Sequence, residues 1–523
     1  MGFGRDLFLD GGRGSLLALL AGILLALPFV YPLWFPAAWL FMVPLFFALH
    51  QSAALKRAFF LGWLAGGVAN LSGFYWVDYT IRVFGGFPHG ASQAIFLVFA
   101  AYGALPLALF ALLVRLCGFG PLYLYPALFW VALEFSFPLL FPWHLANSQS
   151  AFLSLIQSAD IVGPYGASFL LVWLNTILYA RIFLSEKGRT YLPGAVALSA
   201  LLAASLLYGH WRLNEVESQA RAAPAIKVAA VQGDIDIQRK WDMAFLTSNL
   251  TSYRALTEKV ADARLVIWPE TAVEAWLPEN IVEIPAEILP SLPPDAAFIF
   301  GARSFRGNPA SPNVKAFNSA FLTDGRGRVA GFYHKQVLLA FGEYLPLAGL
   351  LSKLPGVPPI GDGFTPGDGP RTLDVPGLIR AAPLICYEDL MPGLARRFVA
   401  ETGANLLVNL TNDAWFGDSA APWQHARLAQ WRAIETRRYL VRVTNTGVTS
   451  VIDPKGEMLS TLPLFSAAVL TANVALLEGE TLYVRFGDWF AWLLSGASLI
   501  VLLVHLARRL RVSCRNNCGG GRS

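Results

Sequence analysis

Charge is what this chain has least of: 14% of its 523 residues are Asp, Glu, Lys or Arg, against 55% hydrophobic ones. That balance excludes an ordinary soluble protein, in which about a quarter of residues are charged. Cysteine is scarce too, and Cys117, Cys386, Cys514 and Cys518 are the whole supply. Only Cys386 lies in the long polar part of the chain, so no disulfide framework can be drawn there. Cys514 and Cys518 stand in a Gly- and Arg-rich tail without further ligands, and no metal site or cofactor is expected. The sequence has no internal or inverted repeat, and its apolar stretches are nearly free of ionisable groups, which argues against a transporter with an external binding domain. Basic residues form no single patch of the kind that grips nucleic acid.

What charge there is clusters. Of 35 acidic residues, 28 fall between Glu215 and Arg485, together with 25 basic ones. Seven apolar stretches precede that segment, at about 15–30, 35–50, 58–75, 92–114, 121–140, 162–181 and 191–208, and one follows at about 489–507. Each approaches the ~20 residues that cross a bilayer. The second is short and the fifth contains Glu134, an acid in an apolar span and so a functional candidate. The first is read as a span, because no small-residue cleavage site of a signal peptide follows it.

With the amino terminus in the cytoplasm, thirteen Lys and Arg near span ends fall on one side, among them Arg13, Lys56, Arg57, Arg115 and Arg508. Only Arg82 and Arg212 fall on the other. The positive-inside bias then puts residues 215–485 outside the cytoplasm. The expected organisation is a membrane region at 1–214, a water-facing domain at 215–485, and a last span with a basic tail at 486–523.

Within the domain, strand-like runs recur at Lys227–Gly233, Leu265–Trp268, Ala296–Gly301, Ala316–Thr323, Val329–Tyr333, Leu378–Ile385, Leu406–Leu410 and Val441–Ile452. Helical patterns at Ala244–Ala263, Leu394–Thr402 and Trp423–Arg438 alternate with them. The pattern is that of an α/β layered fold with a mixed sheet.

Three chemically capable residues sit at strand ends, where α/β sites are built. Glu270 follows Leu265–Trp268 across Pro269, and partial burial there would fit it as a base. Lys335 ends Gly331–His334 and reads as a solvated edge lysine or as a fixed positive charge for an oxyanion. Glu343, in Phe341–Pro346, can pair with it. Cys386 follows Leu378–Ile385, and a thiol there serves packing or acts as a nucleophile with a base beside it. A carboxylate, an amine and a thiol on one membrane-held domain point to acyl transfer through a thioester.

Trp-Pro-Glu (268–270), Tyr-x-Lys (333–335) and Cys-Tyr-Glu (386–388), in this order, resemble the Glu-Lys-Cys set of the nitrilase, or carbon–nitrogen hydrolase, superfamily. Phe-Gly-Glu-Tyr-Leu-Pro (341–346), Asn-Asp-Ala-Trp-Phe-Gly (412–417) and Arg-x-Thr-Asn-Thr-Gly (442–447), with eight spans, resemble more narrowly the apolipoprotein N-acyltransferases of bacterial envelopes. Ala340 departs from the proline expected before Phe-Gly-Glu-Tyr. The resemblance implies an αββα sandwich on about eight spans, with Glu270 as general base, Lys335 as oxyanion stabiliser and Cys386 as nucleophile. It gives Tyr387 a backbone oxyanion donor, Glu343, Glu388 and Asn318 supporting places, and Trp241 a mobile loop at a lipid entrance. It further implies a membrane phospholipid as acyl donor, a diacylglyceryl-modified apolipoprotein as acceptor, a monomer, and an inner-membrane location with the domain in the periplasm. A membrane-tethered amidase using water shares the triad, but a soluble amide needs no bilayer.

Four other features stand out. Arg82 and His89 read as interface residues or as contacts to a lipid phosphate. The run Phe141–Phe152 with Trp143 reads as an interfacial arm. His425 reads as a satisfied structural histidine.

Overall fold

Apolar residues on every face leave the first part of the chain one way to satisfy its backbone, within helices. The computed structural model describes residues 12–519 apart from 53, 185–189, 241, 261, 312, 345 and 347–362. Trp241, Arg5, Lys187 and Arg189 lie outside the described residues. The membrane region comprises α1 (Gly12–Val30), α2 (Pro32–His50), α3 (Leu55–Gly73), α4 (His89–Cys117), α5 (Tyr125–Ser136), α6 (Tyr165–Phe183) and α7 (Leu192–Ala222). All but α3 and α5, together with the carboxyl-terminal Trp489–Arg511, are long and apolar enough to cross a bilayer.

The fifth expected span shrinks to the 12 residues of α5. Its Glu134 caps the turn that follows, accepting from the Leu145 N–H at 2.6 Å and from Trp130 Nε1 at 3.1 Å. The third, α3, lies against α4 with no room for side chains at the crossing. A Cβ on Gly62 or Gly66 would fall within 2.4–2.9 Å of the Leu107 carbonyl oxygen or of Ala104 backbone atoms. Helix α7 has 31 residues, about 46 Å at 1.5 Å per residue, and so outruns a ~30 Å hydrocarbon core. It runs on past residue 214 to Ala222 and delivers the chain straight into the first strand.

The domain is built on two sheets rather than one. Strands β1 (Ala225–Gln232), β2 (Leu265–Ile267), β3 (Val273–Pro278), β4 (Ala297–Arg306), β5 (Lys315–Asp324) and β6 (Val329–His334) form the first, with β13 (Ala468–Ala475) at its edge in the order β13-β1-β2-β4-β5-β6 and β3 paired to β4. The second runs β12 (Met458–Thr461), β11 (Ser450–Ile452), β10 (Leu440–Thr444), β9 (Leu406–Thr411), β8 (Ile379–Ile385), β7 (Leu373–Val375). The expected Val441–Ile452 strand is in fact β10 and β11, separated by a turn through Asn445–Gly447. Val228, Ile267 and Ala320 of one sheet share a core with Leu384, Leu407 and Val441 of the other. Strands buried on both faces read as continuous apolar runs, and all six residues of β9 are buried.

Helix α8 (Leu246–Thr257) covers the first sheet through Leu250, Tyr253 and Leu256. Helices α9 (Pro392–Thr402) and α10 (Ala421–Thr436) cover the second through Phe398, Ala429 and Ala433. The layers are αββα. A final helix, α11 (Trp489–Gly519), returns to the membrane region and packs on α5.

Sandwich and membrane region are tied by a buried ionic clasp. Arg437, in a left-handed conformation after α10 (φ +53°), sends Nη2 to within 2.8 Å of Asp160 Oδ2 and Nη1 to within 2.7 Å of Gln157 Oε1. Asp160, between α5 and α6, also accepts from Arg212 Nε and the Tyr208 hydroxyl of α7, each at 2.8 Å. Asp160→Ala would leave two guanidinium groups without their shared anion. Such a loss typically costs about 3–5 kcal/mol, so the variant in detergent is expected to unfold at lower temperature than the parent. An unchanged midpoint would show that the clasp contributes nothing.

Candidate active site

Strands β2, β6 and β8 end near one another, and the residues just beyond them are Glu270, Lys335 and Cys386. After β2, Trp268 adds one more ladder bond to the Ile299 carbonyl, and Pro269 then halts pairing. The chain turns back across Gly301 of β4, where a Cβ would stand 2.5–2.7 Å from Thr271 N, Pro269 O and Glu270 Cα. Only glycine permits that crossing. Lys240 Nζ donates to the Glu270 carbonyl oxygen at 2.9 Å.

The Glu270 side chain belongs to a closed ring. Asn318 Nδ2, on β5, donates to Glu270 Oε1 at 2.7 Å and to Glu343 Oε1 at 3.0 Å. Lys335 Nζ stands 2.8 Å from Glu343 Oε2 and 3.8 Å from Glu270 Oε1. The Leu339 N–H donates to Glu343 Oε2 at 2.8 Å, fixing the loop that carries it. Glu270 Oε2 is buried with no hydrogen-bond partner among the described residues, so it is the acceptor that the ring leaves open.

Two carboxylates share one ammonium, with Lys335 and Glu270 buried and Glu343 partly so. Burial raises the Glu270 carboxyl above its ordinary range, Lys335 opposes this, Glu343 adds to it and Asn318 opposes it. Burial alone would lower Lys335, but Glu343 and Glu270 outweigh it and hold the ammonium protonated.

Cys386 breaks from β8 at φ +51°, a left-handed conformation that costs a non-glycine residue energy and lifts its side chain out of the sheet. It opens the tight turn Cys386–Leu390, whose first N–H groups have no intrahelical acceptor. Among the described residues the Tyr387 N–H has no hydrogen-bond acceptor. Burial pushes the thiol up and the Glu270 charge pushes it further, while Lys335 and the Thr411 hydroxyl pull it down. The resting sulfur is thus a protonated thiol beside the Glu270 carboxyl.

Glu388 ties this elbow to the lysine loop. Its Oε2 accepts from Ile385 N at 2.8 Å, and its Oε1 from Gln336 N at 2.7 Å, Val337 N at 3.1 Å and the Tyr333 hydroxyl at 2.8 Å. Burial lifts its carboxyl to about 7 against those donors. The Tyr387 hydroxyl donates to the Leu140 carbonyl of the membrane region.

Glu270, Lys335, Cys386, Glu343, Asn318, Tyr387 and Glu388 thus come together, while Trp241 falls outside the described residues. Behind Cys386 lies a buried ionic cluster in which only the structural character of His425 was legible. Arg442 Nη1 meets Asp413 Oδ2 at 3.0 Å, and His425 bridges Asp413 at 3.0 Å and Asp389 at 2.7 Å. Burial would lower His425, yet those carboxylates lift it to about 9, so it stands as a charged structural group. Lys240 and Thr411 were not anticipated either. Nothing in their local sequence sets them apart, since Lys240 acts through a contact 30 residues away.

Arg82 lies over the Tyr79 ring and His89 meets Gln93, both away from this centre. The run Phe141–Phe152 is partly buried within the protein. Its residues Leu145–Gln149 are buried, and Phe141 packs against Phe74, Trp76 and Tyr387.

An αββα sandwich with Glu, Lys and Cys at converging strand ends defines a carbon–nitrogen hydrolase domain, and the Carbon-nitrogen hydrolase family model matches residues 227–481. The Apolipoprotein N-acyltransferase N-terminal domain model matches residues 21–177. An apolipoprotein N-acyltransferase of Geobacter metallireducens is 39% identical, covering 94% of this chain and 95% of its own. One of Azotobacter vinelandii is 35% identical, covering 95% and 96%. Among solved structures, Saccharomyces cerevisiae Nit3, a member of branch 10 of the nitrilase superfamily, aligns over 48% of this chain and 90% of its own at 20% identity, with a TM-score of 0.37. The chain belongs to the apolipoprotein N-acyltransferase family, and is a bacterial-type membrane enzyme.

Lys335→Met removes the cation that lowers both the thiol and the Glu270 carboxyl. The pH profile of Cys386 alkylation by iodoacetamide is expected to move to higher pH, with a rate at pH 8 at least ~10-fold below the parent. Faster alkylation would mean that the lysine does not act on the thiol.

Proposed function

We propose that this chain moves an acyl chain from a membrane phospholipid, through a thioester on Cys386, to the α-amino group of the diacylglyceryl-modified amino-terminal cysteine of an apolipoprotein. The observation that carries this reading is the open Oε2 of Glu270 in a ring neutralised by Lys335, next to a protonated thiol at a strained elbow.

In the first step Cys386 Sγ attacks the ester carbonyl carbon and Glu270 takes the thiol proton. The oxyanion faces the Lys335 ammonium and the Tyr387 N–H. Collapse breaks the ester C–O bond, and Glu270 returns the proton to the leaving lysophospholipid oxygen. In the second step the amine nitrogen attacks the thioester, Glu270 takes an amine proton, and the C–S bond breaks as the amide forms. The thiolate recovers its proton from Glu270. The reaction as drawn needs no cofactor. Glu343 and Asn318 hold lysine and base in register, and Glu388 holds the elbow. Trp241 is assigned to the lipid entrance on the family resemblance alone.

Both substrates are bilayer-anchored, so holding the site at the membrane raises their effective concentration. The Tyr387–Leu140 link and the Phe141 packing support a water-poor approach from that side, which a thioester requires. We assign residues 1–214 to the membrane, 215–485 to a periplasmic catalytic domain and 486–523 to the last span and cytoplasmic tail, acting as a monomer in the inner membrane. The charge asymmetry of the span ends supports that orientation.

Mass spectrometry of protein purified from membranes is expected to find an acyl adduct on the Cys386 peptide, absent from Cys386→Ala. Turnover without any loaded sulfur would overturn the scheme. Asn318→Leu deletes the hydrogen bond that lowers Glu270, so the acidic limb of acyl transfer is expected to shift to higher pH. A reduced plateau with an unmoved limb would restrict Asn318 to a structural role.

A further inference from the structure

A second feature of the interface has no part in the acyl-transfer scheme. A cavity of about 50 Å³ lies where the ends of α1 and α3 meet α10, lined by Leu25, Phe29, Phe74, Trp143, Asn147 and Arg427 among others. That is several times the ~10–15 Å³ needed to admit one water. Arg427 is the only ionisable side chain on its wall among the described residues. Among the described residues it makes no hydrogen bond or ion pair, and it lies over the Trp423 ring, with the guanidinium carbon 5.7 Å from the centroid. Burial pulls its pKa down to about 10, which leaves it charged at neutral pH.

The rest of the polar lining also lacks a charge to answer it. Asn147 is 6% exposed and uses its Oδ1 to accept the His144 N–H at 2.6 Å. Its side chain also hydrogen-bonds the His144 side chain. Gln424 is satisfied at both ends, accepting from Trp76 and donating to the Gly73 carbonyl, each at 2.9 Å. Asn70 donates to the Gly66 carbonyl at 2.8 Å and turns its oxygen toward Gly103. A cation in an otherwise apolar chamber asks for an anion with a greasy body. The contributing turns are the last of α1 and α3, on the side where the sandwich stands, which is headgroup level. On neighbouring turns Ile23 and Leu71 are 47% and 36% exposed, apolar surface for acyl chains to lie against.

We propose that Arg427 and this cavity form a second phospholipid site, in which the guanidinium takes the phosphodiester of an outer-leaflet lipid as a forked donor. The site is separate from Cys386. The rings of Phe74, Phe141 and Tyr387 form a continuous partition, with centroids 6.2 Å apart at each step. The lipid held here is a bound companion of the α10 junction and not the acyl donor.

The test uses full-length protein carrying Cys386→Ala, so that no lipid is consumed, reconstituted into nanodiscs of phosphatidylethanolamine and phosphatidylglycerol. Native mass spectrometry during progressive delipidation counts the last retained lipids. Arg427→Gln is expected to retain one phospholipid fewer, or to need at least ~10-fold more lipid to regain it, with Arg427→Lys in between. Ala69→Leu, which fills the apolar wall and leaves the charge in place, is expected to lose the same lipid, and it stands in if Arg427→Gln fails to fold. Equal retention in all variants would overturn the proposal, as would a cavity that holds water only. Displacement of the lipid by excess inorganic phosphate would also overturn it, by making the occupant a free anion. Acyl loading of the variants with Cys386 restored is expected to persist, so failure of this site and failure of the thioester scheme read out separately.

Discussion

An ammonium group buried to 2% exposure demands anions around it, and Lys335 obtains two. Much of the catalytic geometry follows from that demand. Glu343 takes the close contact and leaves Glu270 at 3.8 Å, near enough to be held and far enough to keep one oxygen open. Asn318 bridges the two carboxylates with one amide and so fixes their spacing. The strands that carry these groups pair in register through Asn318, whose own carbonyl accepts the Lys335 N–H at 2.9 Å. The sandwich supplies rigidity, because the sheets behind the site are apolar on both faces and close-packed.

The ring also accounts for the state of the sulfur. A solvent-exposed thiol beside a lysine would ionise readily, and an ionised thiolate is open to oxidation. Here burial and the Glu270 charge keep the proton on. In the proposed scheme a carboxylate of raised proton affinity faces a reluctant thiol, which suits proton transfer in either direction during two successive steps.

Much of this was legible from the chain. Glu270, Lys335 and Cys386 could be found because each follows an apolar strand and stands in a recognisable triplet. The Glu343–Lys335 pair and the structural character of His425 were also foreseeable. What resisted reading was anything set by contacts distant in sequence. The division of Val441–Ile452 into β10 and β11 depends on Asn445, whose side chain bonds Ile235 more than 200 residues away. Burial of Leu145–Gln149 depends on contacts from distant helices, which hydrophobicity alone does not reveal. The short α5 was misread because an apolar stretch signals environment better than it signals helix length.

The hydroxyl of Tyr387, one residue past the nucleophile, is tethered to the Leu140 carbonyl of the membrane half, and Arg437 anchors the far end of α10 to Asp160. Two fixed points on one rigid layer leave the sandwich little freedom to pivot. The height of the sulfur above the hydrocarbon is thereby a constant of the architecture. In the proposed scheme a lipid ester then rises from its leaflet to meet it, with the enzyme as a stationary anvil rather than a dipping arm.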